Sequence, residues 1–249
     1  MSAQGRPKRE SAPAGGSEAT KVRAWGDHTT IDDNSASREA VLARVRAALG
    51  RRGSDHEARK AALAYLDARR RGPQPARPTD LVQRFLGRAA DMSSTTDRVA
   101  VLADVPAAVA GYLASIGETA SAGVCWPEIA SLDWRASGIT IEARPTLGRD
   151  ALGITACFCA IAETGTLVFV TGAQTPSATF LLPETHVAIV RGDQIVATME
   201  DAFARVRARC GRLPRAVNLV SGPSRTGDIE QTIVLGAHGP RRVHIVLVE

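Results

Sequence analysis

The sequence has few aromatic residues and few cysteines. Aromatic side chains make up only 4% of the 249 residues, which leaves few rings on which the bases of a single-stranded nucleic acid could stack. The four cysteines, Cys125, Cys157, Cys159 and Cys210, show neither C-x-x-C spacing nor a four-cysteine pattern that holds an iron–sulfur cluster. The sequence therefore predicts no cluster in this chain, and it does not favour nucleic-acid binding.

Several signatures of targeting and catalysis are also missing. The sequence contains no run of about 18 apolar residues, and residues 1–10 lack the apolar core of a secretory signal. We therefore expect a cytoplasmic protein without a membrane span. The G-x-S-x-G elbow, the phosphate loop G-x-x-x-x-G-K-[ST] and the dinucleotide fingerprint G-x-G-x-x-G do not occur. No two of the five histidines have H-x-x-x-H spacing, so we expect no metal site.

Positive charge is concentrated near the start of the chain. Residues 1–80 hold 16 Lys and Arg against 10 Asp and Glu, whereas the whole chain has a formal charge of +5. The remainder is thus nearly neutral. Solvated, arginine-rich helix faces explain this excess, and a basic region that binds nucleic acid, acidic lipid or an acidic partner is the alternative.

The composition indicates three regions. Residues 1–35 are rich in Gly, Ser, Ala and charge without apolar periodicity, which predicts a disordered arm. Residues 36–92 show helical periodicity, with helices expected over 38–49 and 54–71 and a third capped by Thr79. Residues 93–249 then form an α/β domain.

Alternating strands and helices in that last region predict the fold class. The expected helices are Val105–Ile116 and Gln194–Cys210, and the expected strands are Val99–Leu102, Thr119–Cys125, Ile139–Ala143, Thr155–Ala162, Thr166–Val170, Val187–Val190, Ala216–Val220 and Val243–Val248. This order favours a three-layer α/β fold, with a mostly parallel sheet, helices on both faces and a cleft at the carboxyl ends of the strands.

The most informative segment runs from Ser221 to Glu230. It follows the apolar run Ala216–Val220, which we interpret as a buried parallel strand, and it leads into a helix opened by Asp228. Free backbone N–H groups at such a junction attract anions. The predicted ligand-binding residues here are small, hydroxylated or charged: Ser221, Gly222, Ser224, Arg225, Thr226 and Asp228. A turn whose hydroxyls only cap the helix is the alternative.

This segment also carries a resemblance to a known family. Ser221–Glu230 followed by Leu235–Arg241 resembles the C-terminal signature of the lactate utilization protein C family, whose members contain a LUD domain. Two further stretches, Ala160–Leu167 and Phe180–Val187, agree with that family in order and spacing.

The resemblance implies a fold similar to ribose-phosphate isomerase, glucosamine-phosphate deaminase and coenzyme A transferase. It also implies a role in oxidising L-lactate to pyruvate beside iron–sulfur partner subunits, which would carry the clusters. The family has no assigned chemistry for this subunit, so the resemblance supplies a pathway and leaves the mechanism open.

Two sequence-distant loops are expected to meet at the cleft. Glu163 precedes Thr164, Gly165 and Thr166 at a predicted hairpin, where Glu163 is the candidate active carboxylate and the other three are candidate ligand contacts. A structural glutamate that accepts backbone hydrogen bonds is the alternative. His238 is a second candidate for proton transfer, and Arg241 can bind an anion beside it. A turn histidine whose ring bonds to backbone carbonyls is the alternative for His238.

Three hypotheses about function follow. The first is a non-redox subunit or accessory factor of an L-lactate oxidation system, which binds a small anion and iron–sulfur partner subunits. The second is a stand-alone enzyme of the isomerase or transferase type that acts on a phosphorylated or acyl-thioester substrate. The third is a regulator that acts through the basic region. The sequence leaves a homodimer open.

Overall fold

The apolar runs of the chain form strands that pair in parallel. A computed structural model of the chain describes residues 35–50, 56–118, 122–211, 214–226 and 234–249. The strands are β1 (Thr95–Val99), β2 (Ala122–Cys125), β3 (Thr140–Glu142), β4 (Leu152–Ala156), β5 (Cys159–Ile161), β6 (Thr166–Val170), β7 (Thr185–Arg191), β8 (Ile195–Val196), β9 (Val217–Val220), β10 (Arg225–Thr226), β11 (Val234–Leu235) and β12 (Arg242–Val248).

The helices are α1 (Ser35–Ala48), α2 (His56–Ala68), α3 (Leu81–Asp91), α4 (Val105–Ser115), α5 (Ala178–Leu181) and α6 (Met199–Cys210). The described residues divide into two compact units between Arg70 and Arg71. The first unit contains α1 and α2, in which none of the described residues is buried. The second unit contains α3 together with every strand, so this boundary falls inside the helical extension predicted over residues 36–92.

A six-stranded sheet in the order β1-β12-β7-β4-β2-β3 forms the centre of the second unit. All of its neighbouring strands are parallel. A second sheet has the order β8-β5-β6-β9, in which only the β5–β8 pair is parallel. The described residues thus confirm an α/β fold built on a parallel sheet.

Both faces of the parallel sheet are buried. In β7, Val187 and Ile189 pack in the core that α4 covers, whereas Ala188 and Val190 pack in the core that contains Phe85 of α3. The outer face of the second sheet is covered by Ala202 of α6. Because side chains alternate along a strand, burial on both sides requires the continuous apolar runs seen in the sequence.

Three strand predictions differ from the structure. Val99–Leu102 was expected to be a strand, but β1 ends at Val99 and Leu102 begins a 3-10 turn that leads into α4. Ala216–Val220 was expected to be a buried parallel strand, but β9 pairs antiparallel with β6 at the edge of the second sheet and is only partly buried. The run Thr155–Ala162 was expected to be one strand, but it divides into β4 and β5, which belong to different sheets. The chain leaves the parallel sheet at Cys157 to start the hairpin.

Helix starts differ as well. The helix expected over Gln194–Cys210 begins at Met199, because Ile195 and Val196 pair with β5 as β8 and the Thr198 hydroxyl accepts the Asp201 N–H. The N-cap of α3 is Asp80, whose carboxylate accepts the Gln83 N–H, instead of Thr79. The helix expected after Asp228 lies outside the described residues.

We predict that Gly153→Ala destabilises the sheet domain. A Cβ atom at Gly153 would lie 2.0 Å from the carbonyl oxygen of Thr179, which is backbone of α5 and cannot move away cheaply. The free energy of unfolding should fall by about 1–3 kcal/mol, measured by urea denaturation. Gly111→Ala in α4 is the matched control, since its Cβ meets nothing within 4 Å, and it should be neutral or slightly stabilising. Equal stabilities for the two variants would contradict the close packing of β4 on α5.

Candidate functional site

The parallel sheet creates a crevice where the connections from two neighbouring strands lead to opposite sides. The chain leaves β2 towards β3 on one side, and it leaves β4 towards β7 on the other. Because β2 and β4 are neighbours, their carboxyl ends flank a topological switch point, where ligands bind in open α/β sheets. The residues that follow these two strands are Trp126 and Cys157.

A cavity of about 700 Å³ occupies this position, and we call it the strand-end cleft. Its lining includes four residues that follow three of the parallel strands and two residues of α6: Trp126, Glu128, Cys157, Gln194, Arg205 and Arg209. The volume falls in the range of small-molecule and cofactor sites.

The strand-end cleft carries more positive than negative charge. Arg205 and Arg209 lie one turn apart on α6 and face the same cavity. Arg205 also donates a hydrogen bond to the carbonyl oxygen of Asp193 at 3.2 Å, which fixes its direction. Partial loss of water raises the pKa of Glu128, although the residue remains exposed on its outer side. Among the residues that line the cleft, two guanidinium groups thus accompany one carboxyl group.

Cys157 is a thiol at neutral pH. Its side chain is 4% exposed, and burial raises the pKa of the thiol far above its usual range. The sulfur lies 4.0 Å from the Gln194 Oε1 atom. A buried, protonated thiol packs like a small apolar group and is a weak hydrogen-bond donor. It is not in the thiolate form that acts as a nucleophile.

The structure brings the two predicted loops together. The β5–β6 hairpin turns at Thr164 and Gly165, as the sequence predicted, with Ile161 opposite Thr166. The hydroxyls of Thr164 and Thr166 lie 2.7 Å apart, and the Thr166 hydroxyl lies 2.7 Å from that of Ser221. A chain of three hydroxyls therefore joins the hairpin to the loop after β9.

The end of α3 packs against both loops. A Cβ atom at Gly165 would lie 2.4 Å from the Ala89 nitrogen, and one at Gly222 would lie 2.0 Å from the Met92 carbonyl oxygen. Both glycines also have positive φ values, 67° and 81°. The lack of space for a Cβ atom and the left-handed backbone therefore both favour glycine at these positions. The close backbone approach that the sequence predicted for a ligand is used here by the protein itself.

The Arg225 guanidinium also points to this turn. Its Nη2 atom donates to the Ser93 hydroxyl, and it lies 3.5 Å from the Met92 carbonyl oxygen. Ligand binding by Ser221, Gly222, Ser224, Arg225 and Thr226 stays a prediction, and Asp228 lies outside the described residues. Residues 221–226 do not line the strand-end cleft.

The candidate catalytic residues lie in different surroundings. Glu163 is partly buried, its N–H donates to the Ala197 carbonyl oxygen at 3.1 Å, and its side chain lines a second cavity of about 460 Å³, which we call the Glu163 cavity. His238 is exposed, and its N–H donates to the Ser224 hydroxyl at 3.3 Å. Arg241 forms an ion pair with Glu184 at 3.5 Å. The roles of these three residues stay predictions.

Sequence reasoning missed the lining of the strand-end cleft. It identified a cleft at the carboxyl ends of the strands but assigned two other loops to it. Trp126 could have been found, since it directly follows the strand predicted over Thr119–Cys125. Cys157 lies inside the run Thr155–Ala162 that was predicted to be one strand, so its place at a strand end was not visible. Arg205 and Arg209 gave no comparable signal, because arginines on one face of a helix usually contact solvent.

The described residues offer neither a metal-binding cluster nor a membrane-spanning helix. No group of three or more His, Cys, Asp or Glu side chains suited to a metal ion occurs in the described ranges. Within those ranges, every helix is too short or too polar to cross a bilayer.

Comparisons with known proteins identify the family. The LUD domain pattern matches residues 127–248. A lactate utilization protein C from Deinococcus radiodurans is 32% identical over 184 residues, which cover 71% of this chain and 83% of that protein. The chain belongs to this LUD-domain family.

Other members of the family match over a shorter region. A lactate utilization protein C from Shouchella clausii is 35% identical over 100 residues, and lactate utilization protein C 1 from Bacillus mycoides is 39% identical over 101 residues. The chain spans less than half the length of these two relatives, at 44% and 43%. A crystal structure of a DUF162 family protein from Deinococcus radiodurans superimposes with a TM-score of 0.51 at 25% identity, covering 70% of this chain and 100% of that one.

We predict that Thr166→Val weakens the junction between the hairpin and the loop after β9. The buried Thr166 hydroxyl contacts two other hydroxyls, and valine keeps its shape while removing both hydrogen bonds. The free energy of unfolding should fall by about 1–2 kcal/mol in urea denaturation. Thr140→Val, on an exposed position of β3, is the control and should change stability little. A loss no larger than that of the control would mean that the hydroxyl chain does not hold the loops together.

Proposed function

We propose that this protein is a component of an L-lactate oxidation system. In this role it is a non-redox subunit or accessory factor, located in the cytoplasm, that binds a small anion and works with iron–sulfur partner subunits. Relatives named lactate utilization protein C support the pathway. The observation that carries the binding function is the strand-end cleft, where two arginines face a cavity at the switch point of the sheet.

The chemistry of the cleft suits a carboxylate or phosphate. A guanidinium presents paired N–H donors that match the two oxygens of a carboxylate, and Gln194 adds a neutral amide beside them. The apolar side chains of Trp126 and Phe158 reduce the access of water, which strengthens such contacts. These features favour an anionic group attached to an apolar body.

Electrons would pass through the partner subunits in this proposal. The four cysteines lack the spacing of a cluster-binding pattern, which supports this division of roles. The role of this chain would then be to hold or position an anion, with no redox group of its own.

The volume of the strand-end cleft favours a second candidate function, that of an enzyme. A cavity of about 700 Å³ is larger than a three-carbon acid requires, and it can hold part of a cofactor-sized ligand. The alternative is therefore a stand-alone enzyme of the isomerase or transferase type, acting on a phosphorylated or acyl-thioester substrate. Glu128 would be its acid or base, since it lies in the cleft with a raised pKa.

We predict that Arg205→Ala weakens anion binding to the purified protein. L-lactate, pyruvate, a sugar phosphate and coenzyme A would be titrated by calorimetry, and a ligand that binds should lose about tenfold or more in affinity without this charge. Arg135→Ala is the control, because Arg135 is exposed and does not line the cleft. Binding of lactate or pyruvate supports the accessory role, and binding of only the larger anions supports the enzyme.

The same titration separates the cleft from the predicted loop. Arg225 does not line the strand-end cleft, so Arg225→Ala should leave the affinity unchanged if the anion binds between β2 and β4. A loss in Arg225→Ala with none in Arg205→Ala would move the site to the loop after β9. Absence of binding by all four anions would contradict the proposed binding function.

We predict that deleting the gene impairs growth when L-lactate is the sole carbon source. Growth on glucose should be unaffected, because the proposed defect lies in oxidation of lactate to pyruvate. Growth on pyruvate is the closer control, since pyruvate enters metabolism after the proposed step. Equal growth of the deletion strain and its parent on L-lactate would contradict the pathway, whatever the binding experiments show.

A further inference from the structure

The Glu163 cavity lies under a proline-rich segment of the chain. Residues 71–78, which we call the strap, cover the start of α6 and contain Pro73, Pro75 and Pro78. Prolines hold a segment extended and reduce the freedom it must lose on ordering. The strap therefore loses little conformational freedom when it covers the Glu163 cavity.

Two arginines fasten the strap to α6. Arg71 contacts the Asp201 carboxylate at 2.7 Å, and Arg77 contacts its other oxygen at 3.4 Å. Gln74 donates to Glu200 at 3.1 Å. The strap therefore balances the charge on Asp201. Loss of water raises the pKa of the Asp201 carboxyl, but hydrogen bonding and the positive charges of Arg71 and Arg77 outweigh this effect, so the pKa lies below its usual range.

Two opposite charges in the cavity are not matched. Arg84 of α3 and Glu163 of the hairpin both line it, yet within the described part of the chain neither side chain forms an ion pair or a hydrogen bond. No ion pair joins them, and Arg84 is exposed whereas Glu163 is partly buried. The other charged side chains that line the cavity, Arg71, Arg77 and Asp201, pair with one another. Arg84 and Glu163 are therefore the charges left for a ligand that carries one group of each sign.

We infer that the Glu163 cavity binds a free α-amino acid. The ammonium group contacts the Glu163 carboxylate, and the carboxylate of the ligand contacts the Arg84 guanidinium. The volume of about 460 Å³ leaves room for a side chain beyond the two charged groups. A purely anionic ligand such as lactate satisfies Arg84 but leaves the Glu163 carboxylate without a cation.

Calorimetric titration of the full-length protein with the standard L-amino acids tests this inference. At least one of them should bind, and L-lactate, which shares the carbon skeleton of L-alanine but has no ammonium group, should not compete with it. Ethylamine, a cation without a carboxylate, should not compete either. Binding by no amino acid, or competition by L-lactate, would overturn the proposal.

Variants of the two unmatched residues locate the site. Arg84→Ala and Glu163→Gln should each weaken the binding by about tenfold or more, because each removes one charge-assisted contact. Neither side chain bonds to a described residue, so both variants should unfold at the temperature of the parent protein. Arg84→Lys, which keeps the charge, should recover part of the affinity. Arg135→Ala should bind like the parent, and unchanged affinity in both cavity variants would overturn the assignment of the site.

The titration also separates this site from the strand-end cleft. Arg205→Ala, which alters the cleft, should leave amino-acid binding unchanged, since Arg205 does not line the Glu163 cavity. Loss of amino-acid binding in Arg205→Ala, without loss in Arg84→Ala, would assign the ligand to the cleft and contradict the proposal.

Discussion

Burial of both faces of the central parallel strands is the constraint on which the rest of the structure depends. Alternate residues of β7 and β12 enter two separate cores, and each core needs its own cover. Helix α4 covers one of them, while α3, α5 and the second sheet cover the other. The second sheet must in turn be covered, and α6 does this. The strand-end cleft is thus walled by elements that are present for packing.

Close contact at two glycines links α3 to this arrangement. Gly165 and Gly222 allow the last turn of α3 to approach the hairpin and the loop after β9 more closely than any side chain would permit. Arg225 then donates to the turn that follows α3. A Gly- and Ser-rich loop can therefore pack closely against another part of the chain, although its sequence resembles that of an anion-binding loop.

The sequence alone predicted the α/β class, the parallel sheet and the hairpin at Thr164 and Gly165, because apolar runs and turn residues report local structure. It did not predict the second sheet. Whether an apolar run pairs in parallel or antiparallel depends on distant partners, as the antiparallel pairing of β9 shows. Glu163 was singled out as a carboxylate at the end of an apolar run, but Arg84 was not, since the two residues come to line one cavity only when the chain folds.

The family pattern and the folding unit have different boundaries. The LUD pattern covers residues 127–248, yet β1, β2 and α4 precede it. In the sheet, β2 lies between β4 and β3, and β1 pairs with the outer side of β12. A fragment cut at residue 127 would keep the pairing of β7 with β4 and β12, but the edge of β4 that faces β2 and the edge of β12 that faces β1 would lose their partners. Exposed strand edges of this kind template aggregation. Expression of the sheet domain therefore needs to begin before α3.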